Sequence, residues 1–253
     1  MPTDLKIGII GGSGMEDPAF ISDFTSKEIS TPYGDPSSKL ILGNIADISI
    51  VILSRHGPGH SINPTNVNYR ANIWGLKEEG CTHILAATAC GSLREQIAPG
   101  HFVFPDQFID RTSKRISTFF DGSDVRHVSM GNPFSTKMRN CLVEACKSLG
   151  FEHHNGGTVV TIEGPRFSTK AESMLFRSWG CDLINMSTVP EICLARELEL
   201  EYQSIAMSTD YDCWRENEEE VTMEIIFAVM EKNVHNVKKL IDHAIPLIKK
   251  NYK

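Results

Sequence analysis

Short β-branched apolar runs alternate along the chain with longer stretches in which apolar residues recur every three or four positions. The runs predict strands at residues 6–10, 49–54, 83–87, 101–108, 158–162, 183–186 and 202–207. Several are almost continuously apolar, the pattern of strands covered on both faces. Helices are predicted between them. One spans 66–80, begins after Pro64 and stops at Gly80, a residue suited to a helix C-terminus. A second spans 136–149, with Met138, Leu142, Val143 and Ala145 recurring along it and Gly150 as its stop. A third covers 169–179 and ends at Gly180, and Pro190 suits the first position of a fourth that runs to about Leu198. From Thr222 onward, Ile225, Ile226, Val229, Val237, Leu240 and Ile241 share one helix face. Residues 112–134 have weak periodicity and read as an irregular excursion, with a turn at Asp121-Gly122. There is no internal repeat and no linker, so residues 1–253 read as a single α/β domain.

Composition narrows the function classes. With 253 residues and 41% hydrophobic positions, the chain can bury a full core. The net charge of −7 argues against a nucleic-acid partner, which needs a broad basic surface. An anionic ligand must then be held by a local cluster, against the global sign. The seven cysteines are odd in number and include no C-x-x-C, which fits reduced thiols in a cytoplasmic protein better than a zinc site or a disulfide framework. The polar N-terminus lacks a signal core, and no apolar run is long enough to span a bilayer, so no membrane association is expected.

Candidate chemistry sits at the ends of the predicted strands, where open α/β sheets bind ligands. The first strand runs into Gly11-Gly12-Ser13-Gly14. This can be only a tight turn, or it can be a nest of backbone N–H groups around a phosphate, helped by the Ser13 hydroxyl. It lacks the third glycine of a dinucleotide fingerprint and the Gly-Lys-Ser/Thr of a P-loop, which argues against a nucleotide-dependent oxidoreductase. The second strand ends in Arg55-His56-Gly57, with His60 close behind. Arg55 can be a surface ion-pair residue, or its planar fork can hold a phosphate with His56 as a further donor. Thr88-Ala89-Cys90-Gly91-Ser92 supplies hydroxyls and amides, and Cys90 reads as a small buried residue. Asp210-Tyr211-Asp212 can be a solvated acidic loop, or it can hold an acid whose pKa is raised by burial and by its like-charged neighbour.

Together these segments resemble the trimeric nucleoside phosphorylase family. The resemblance rests on 7–14, Arg55-His-Gly57, 68–74, 88–94, 106–112, 161–168, Asn185-Met186, Val189-Pro-Glu191 and 208–214. It is dense from Lys6 to Trp214 and loose after that. It implies an α/β fold with a central mixed sheet flanked by helices, and a homotrimer. It implies phosphorolysis of 5′-methylthioadenosine to adenine and 5-methylthioribose 1-phosphate, with adenosine, inosine or guanosine as alternative substrates. The phosphate site it implies comprises Ser13, Arg55, His56, Thr88, the Ala89 amide and Ser187. Met186 would pack on the ribose, and Phe167, Ser168, Asp210 and Asp212 would surround the purine. The 5′-group would lie near His60, Met223, Ile226 and Phe227, with His127 arriving from a neighbouring subunit. Ser13 and Ser187 stand where the family usually has threonine, and Phe227 stands where leucine is expected. The chain also ends at Lys253, short of the segment that often covers the 5′-pocket.

The chemistry adds an expectation of its own. Cleaving an N-glycosidic bond leaves positive charge on the ribose and negative charge on the purine. Phosphate suits the first, and an acid at purine N7 suits the second. Asp210 is the expected acid, with Asp212 accepting from the exocyclic amine or keeping Asp210 protonated. A 6-amino purine presents a donor to these carboxyls, whereas a 6-oxo purine presents an acceptor. No metal or organic cofactor is called for, and phosphate is a co-substrate.

Overall fold

The computed structural model describes residues 5–11, 21–216 and 222–252. Its strands join in one mixed sheet of 11 strands. β1 (Lys6–Gly11) lies between β4 (Ile48–Ser54) and β5 (His83–Ser92) and is parallel to both. β3 (Leu40–Ile45) and β2 (Ser22–Lys27) extend the β4 side in antiparallel fashion. On the other side the sheet forks at β5. The first half of β5 pairs with β1, while Gly91 and Ser92 at its end pair with β10 (Leu183–Asn185). β9 (Thr158–Ile162) and β7 (Gln107–Arg111) continue that branch. The opposite edge of β5 carries β11 (Glu201–Asp210), followed by β6 (Phe102–Phe104) and β8 (His153–Asn155). The fork therefore brings the ends of β5, β10 and β11 together.

Helices cover both faces of the sheet, which is why the central strands are apolar almost throughout. Ile7 and Ile9 share one cluster with Met138, Leu142, Leu240 and Ile241, from α2 (Thr136–Leu149) and α5 (Met223–Asn251). Ile10 faces the other way, into a cluster with Ile73, Leu76 and Ile192 from α1 (Tyr69–Glu78) and α4 (Thr188–Glu197). Strand alternation alone produces this division. A smaller third cluster joins Phe176 of α3 (Lys170–Ser178) to Ile184 and Trp214. Local chemistry fixes the helix ends. The Asn68 and Ser135 side chains accept from the N–H groups of Ala71 and Met138. Thr169 and Glu172 close a capping box. Gly150 takes the left-handed conformation, φ 68°, after α2.

The structure departs from the sequence pattern in places with clear causes. Residues 101–108, expected as one strand, divide into β6 and β7. Pro105 offers no N–H to a ladder, and Asp106 leaves the strand to exchange hydrogen bonds with Gly157. The chain thereby switches from the β11 branch to the β9 branch. β2, β3 and β8 were not anticipated, and every residue of β2 is exposed, so no apolar alternation marks it. Within α4, Val189 is extended (φ −104°, ψ 131°), and regular helix begins at Pro190 as expected. α5 is a single 29-residue helix that contains Pro246. Residues 112–134 contain no helix or strand. No helix among the described residues is long and apolar enough to cross a membrane.

Thr169→Ala removes the hydroxyl half of the α3 capping box and leaves the residue-169 N–H on the Glu172 carboxylate. It should lower stability by about 1 kcal/mol, read as a shifted urea midpoint with an unchanged slope.

Candidate active site

A cleft of about 860 Å³, its mouth included, opens at the fork. Its walls include Thr88, Ala89, Cys90 and Gly91 of β5, Ile184 and Asn185 of β10, and Thr209 and Asp210 of β11. Arg55, His56 and His60 arrive from the loop after β4, and Met186 and Ser187 from the loop after β10. Phe167, Ser168, Asp212 and Ile226 complete the sequence-derived set that the cleft brings together. His127 is exposed and lies outside the cleft of its own chain. Ser13 and the side chains of Met223 and Phe227 lie outside the described residues.

Arg55 is buried, 1% exposed, and is no surface residue. Its Nε and Nη2 both donate to the Glu191 carboxylate, Nη2 at 3.0 Å, and Nη1 donates to the Ala87 carbonyl at 2.9 Å. Glu191 also accepts from the Tyr202 hydroxyl at 2.9 Å. Burial opposes the charge on Arg55, but Glu191 outweighs it and the guanidinium is held above its ordinary pKa. A guanidinium has five N–H donors, so a terminal N–H on each of Nη1 and Nη2 remains for an anion.

Beside this pair the hydroxyls of Thr88 and Ser187 meet at 2.7 Å. Asn185, 5% exposed, organises them. Its amide donates to Thr188 Oγ1 at 2.7 Å and more loosely to Thr88 Oγ1 at 3.4 Å. Its oxygen accepts from Thr161 Oγ1 at 2.9 Å. His56 shares this end of the cleft, its ring stacked on His60 with centroids 4.3 Å apart. Burial, then the Arg55 charge, pushes His56 down to about 3, so it is neutral at pH 7.

Both carboxyl oxygens of Asp210 accept local hydrogen bonds at 2.7 Å, Oδ2 from Thr209 Oγ1 and Oδ1 from the Asp212 N–H. Burial nevertheless raises the Asp210 pKa above the ordinary carboxylate range, against those two bonds. Asp212 is raised as well, first by burial and further by Asp210. The influence of like charge thus falls on Asp212; burial is what raises Asp210. The hydroxyls of Ser168 and Ser173 lie close enough to favour a charged Asp212 but form no hydrogen bond of good geometry. A Cβ at Gly91 would stand 3.0 Å from Asp210 Oδ1 and 3.3 Å from Asp212 Cβ, so the bare glycine makes room for both.

Arg115, in the irregular excursion, escaped the sequence analysis. Its side chain is 1% exposed and pairs with Glu163 at 3.1 Å. It also donates to the Met186 and Val189 carbonyls at 2.7 and 2.6 Å, the segment that carries Ser187. Glu163 accepts in addition from the N–H groups of Ser113 and Lys114. Burial works against its charge, but these donors and Arg115 bring it down to about 2. No local periodicity marks such a residue, because its partners lie 46 to 74 positions away.

Glu191→Ala leaves Arg55 buried without its counter-charge and should cost about 3–5 kcal/mol. Replacing both, as Arg55→Met with Glu191→Leu, should recover most of that stability while anion binding is lost. Urea midpoints and phosphate titrations of the single and double variants check both halves.

Comparison with known proteins agrees with this geometry. The sequence model of the Phosphorylase superfamily matches residues 6–246. The S-methyl-5′-thioadenosine phosphorylase of Danio rerio is 55% identical over 249 residues, covering 96% of this chain and 89% of the relative. That of Xenopus tropicalis is 53% identical over 250 residues, with the same coverage. Among solved structures, the methylthioadenosine phosphorylase of Schistosoma mansoni in complex with adenine superposes with a TM-score of 0.93 at 42% identity, covering 97% of this chain and 92% of that one. A mutant of the adenosine/methylthioadenosine phosphorylase from that organism, in complex with methylthioadenosine, gives a TM-score of 0.92 at 41% identity and the same coverage. The chain therefore belongs to the phosphorylase superfamily, within its S-methyl-5′-thioadenosine phosphorylase branch.

Proposed function

We propose that this chain cleaves S-methyl-5′-thioadenosine with inorganic phosphate, giving adenine and 5-methylthioribose 1-phosphate. The observation that carries the assignment is one cleft holding both an anion-binding end and a buried acid. Thr88 and Gly91, the neighbour of Asp210, lie three residues apart on β5. At about 3.3 Å per residue they are roughly 10 Å apart, a distance that a ribose between phosphate and purine can bridge.

Phosphate is held by the hydroxyls of Thr88 and Ser187, the Ala89 amide and the remaining Arg55 donors, with His56 beside them and Ser13 added by family resemblance. Met186 lies against the ribose, and Phe167 and Ser168 lie along the purine. A phosphate oxygen forms the new bond to C1′. The C1′–N9 bond breaks, and its electron pair leaves with the purine. Asp210, whose pKa burial raises, meets in its protonated form the charge that develops at N7. A carboxyl oxygen of the acidic pair accepts from the 6-amino group, which favours adenine nucleosides over 6-oxo ones. These steps use no metal and no organic cofactor. His60 and Ile226 border the 5′-group, with Met223 and Phe227 on the same helix. In the homotrimer that the family resemblance implies, His127 of the partner subunit completes that pocket, consistent with its exposure here.

Purine release should require phosphate and yield a sugar 1-phosphate; equal release in phosphate-free buffer would exclude phosphorolysis. Asp210→Asn should lower kcat on methylthioadenosine by about a hundredfold or more. Because the amide donates to a 6-oxygen, activity on the 6-oxo analogue with the same 5′-group should fall less. An unchanged ratio of the two kcat/KM values would remove Asp210 from base recognition. Wild-type kcat should fall as pH rises through the raised Asp210 pKa, since the protonated form is the active one.

Solution mass should correspond to three chains. A fully active monomer would remove His127 from the site.

A further inference from the structure

The arginine that lines the anion end of the cleft is already matched, since Arg55 faces Glu191. Arg115, behind the lining but near His56, faces Glu163. The groups beside Thr88 and Ser187 in the cleft are otherwise hydroxyls, amides and imidazoles. A site with so little uncompensated positive charge suits an anion that carries part of its own neutralisation as a bound proton.

His56 gives this a specific form. Its Nδ1 lies 2.9 Å from the carbonyl oxygen of Ile62. A carbonyl can only accept, so the ring proton sits on Nδ1 and the tautomer is fixed by its partner. A second proton on Nε2 would place an imidazolium beside Arg55, with Arg115 also near and His60 stacked on the ring. Burial and these neighbours keep the ring neutral. A neutral imidazole that donates through Nδ1 has only an acceptor at Nε2. Among the described residues no donor meets that nitrogen, and the ring lines the cleft. The donor role expected of His56 from the sequence is therefore reversed.

We propose that His56 makes the site selective for protonated oxyanions: Nε2 accepts a hydrogen bond from the P–OH of hydrogen phosphate, and an anion without a proton, such as sulfate, leaves it unmet. This rests on the assignment of this end of the cleft to co-substrate phosphate. The proton balance suits hydrogen phosphate dianion. Its oxygen bonds to C1′ as the C1′–N9 bond breaks and the electron pair departs with the purine. Over the whole turnover Asp210 gives its proton to the purine and regains one from solvent, while the sugar phosphate releases to solvent the proton that hydrogen phosphate brought and is left a dianion.

The test is calorimetric titration of the wild-type protein with phosphate, arsenate and sulfate. It is run in mildly alkaline solution, where phosphate is almost wholly hydrogen phosphate, and in two buffers of different ionisation enthalpy. Phosphate and arsenate should bind about tenfold or more tighter than sulfate, the scale of one unmet buried acceptor. The heats should show no proton uptake. In His56→Ala phosphate and arsenate should weaken while sulfate does not, so that the phosphate-to-sulfate ratio collapses toward one. A merely structural role for His56 would weaken all three equally and leave the ratio intact, which overturns the proposal. So does wild-type sulfate affinity equal to that of phosphate, or uptake of about one proton on binding, which would mark an imidazolium donor. If the cleft is not a phosphate site at all, no anion binds and purine release is independent of phosphate, a result distinct from each of these.

Discussion

The buried pair between Arg55 and Glu191 is the constraint on which the site depends. Taking two charges out of water is costly, and attraction between them repays it only when nearly every donor and acceptor is met. Here Glu191 takes Nε and Nη2 of Arg55 together with the Tyr202 hydroxyl, and Ala87 takes Nη1. Those contacts tie the end of β4 to β5, β11 and the first turn of α4. Ser187 and Thr188 immediately precede the Val189-Pro190-Glu191 segment, so the pair also fixes where the Ser187 hydroxyl stands. Arg115 fixes the same segment from the other side through the Met186 and Val189 carbonyls. The proposed anion end is thus a local constellation in a chain of net charge −7, and its arginine is balanced internally by Glu191.

The fork in the sheet sets the second condition. β5 changes partner along its length, from β1 to β10, while β11 stays on its other edge. Small side chains suit such a strand, and Ala86, Ala87, Ala89 and Gly91 supply them. At the end of the β5–β11 pairing the register slips between Ser208 and Asp210. Asp212 follows with a left-handed φ of 50°, and its backbone N–H donates to Asp210 Oδ1. The acid is positioned by this irregular strand end as much as by its own burial.

Much of this was legible in the sequence, for a physical reason. Strands buried on both faces and helices stopped by Gly80, Gly150 and Gly180 advertise themselves locally, and the polar strand ends lie where a fork gathers them. The edge strand β2 was illegible because nothing covers it, and the break after β6 turned on one proline within an apolar run. The site contained the same division. Arg55, Thr88, Ser187 and Asp210 could be named from their places at strand ends. The Arg55–Glu191 pair spans 136 positions, and the Arg115 contacts begin in a segment with no periodicity at all. The role of His56 is hidden differently: it turns on which ring nitrogen meets a main-chain oxygen six residues on, and no pattern of residue types records that.

Burial acts in opposite senses on the two titratable groups that matter most. It lowers His56 and raises Asp210, because in each case it disfavours the charged form. The imidazole is thereby held neutral, and the carboxyl holds its proton to a higher pH than an exposed carboxyl does. Arg55 escapes this rule only because Glu191 accompanies it. The Arg55 charge is consequently balanced within the protein, and in the proposed reaction the new charge comes from the bound phosphate and from the separating ribose and purine. Fixed dipoles act most strongly on such charge when no mobile counter-charge lies between them. A free lysine or arginine at the anion end would hold phosphate more tightly before reaction, but it would also stabilise the anion as it stood. A balanced site leaves phosphate to find its main counter-charge in the cationic ribose that forms beside it.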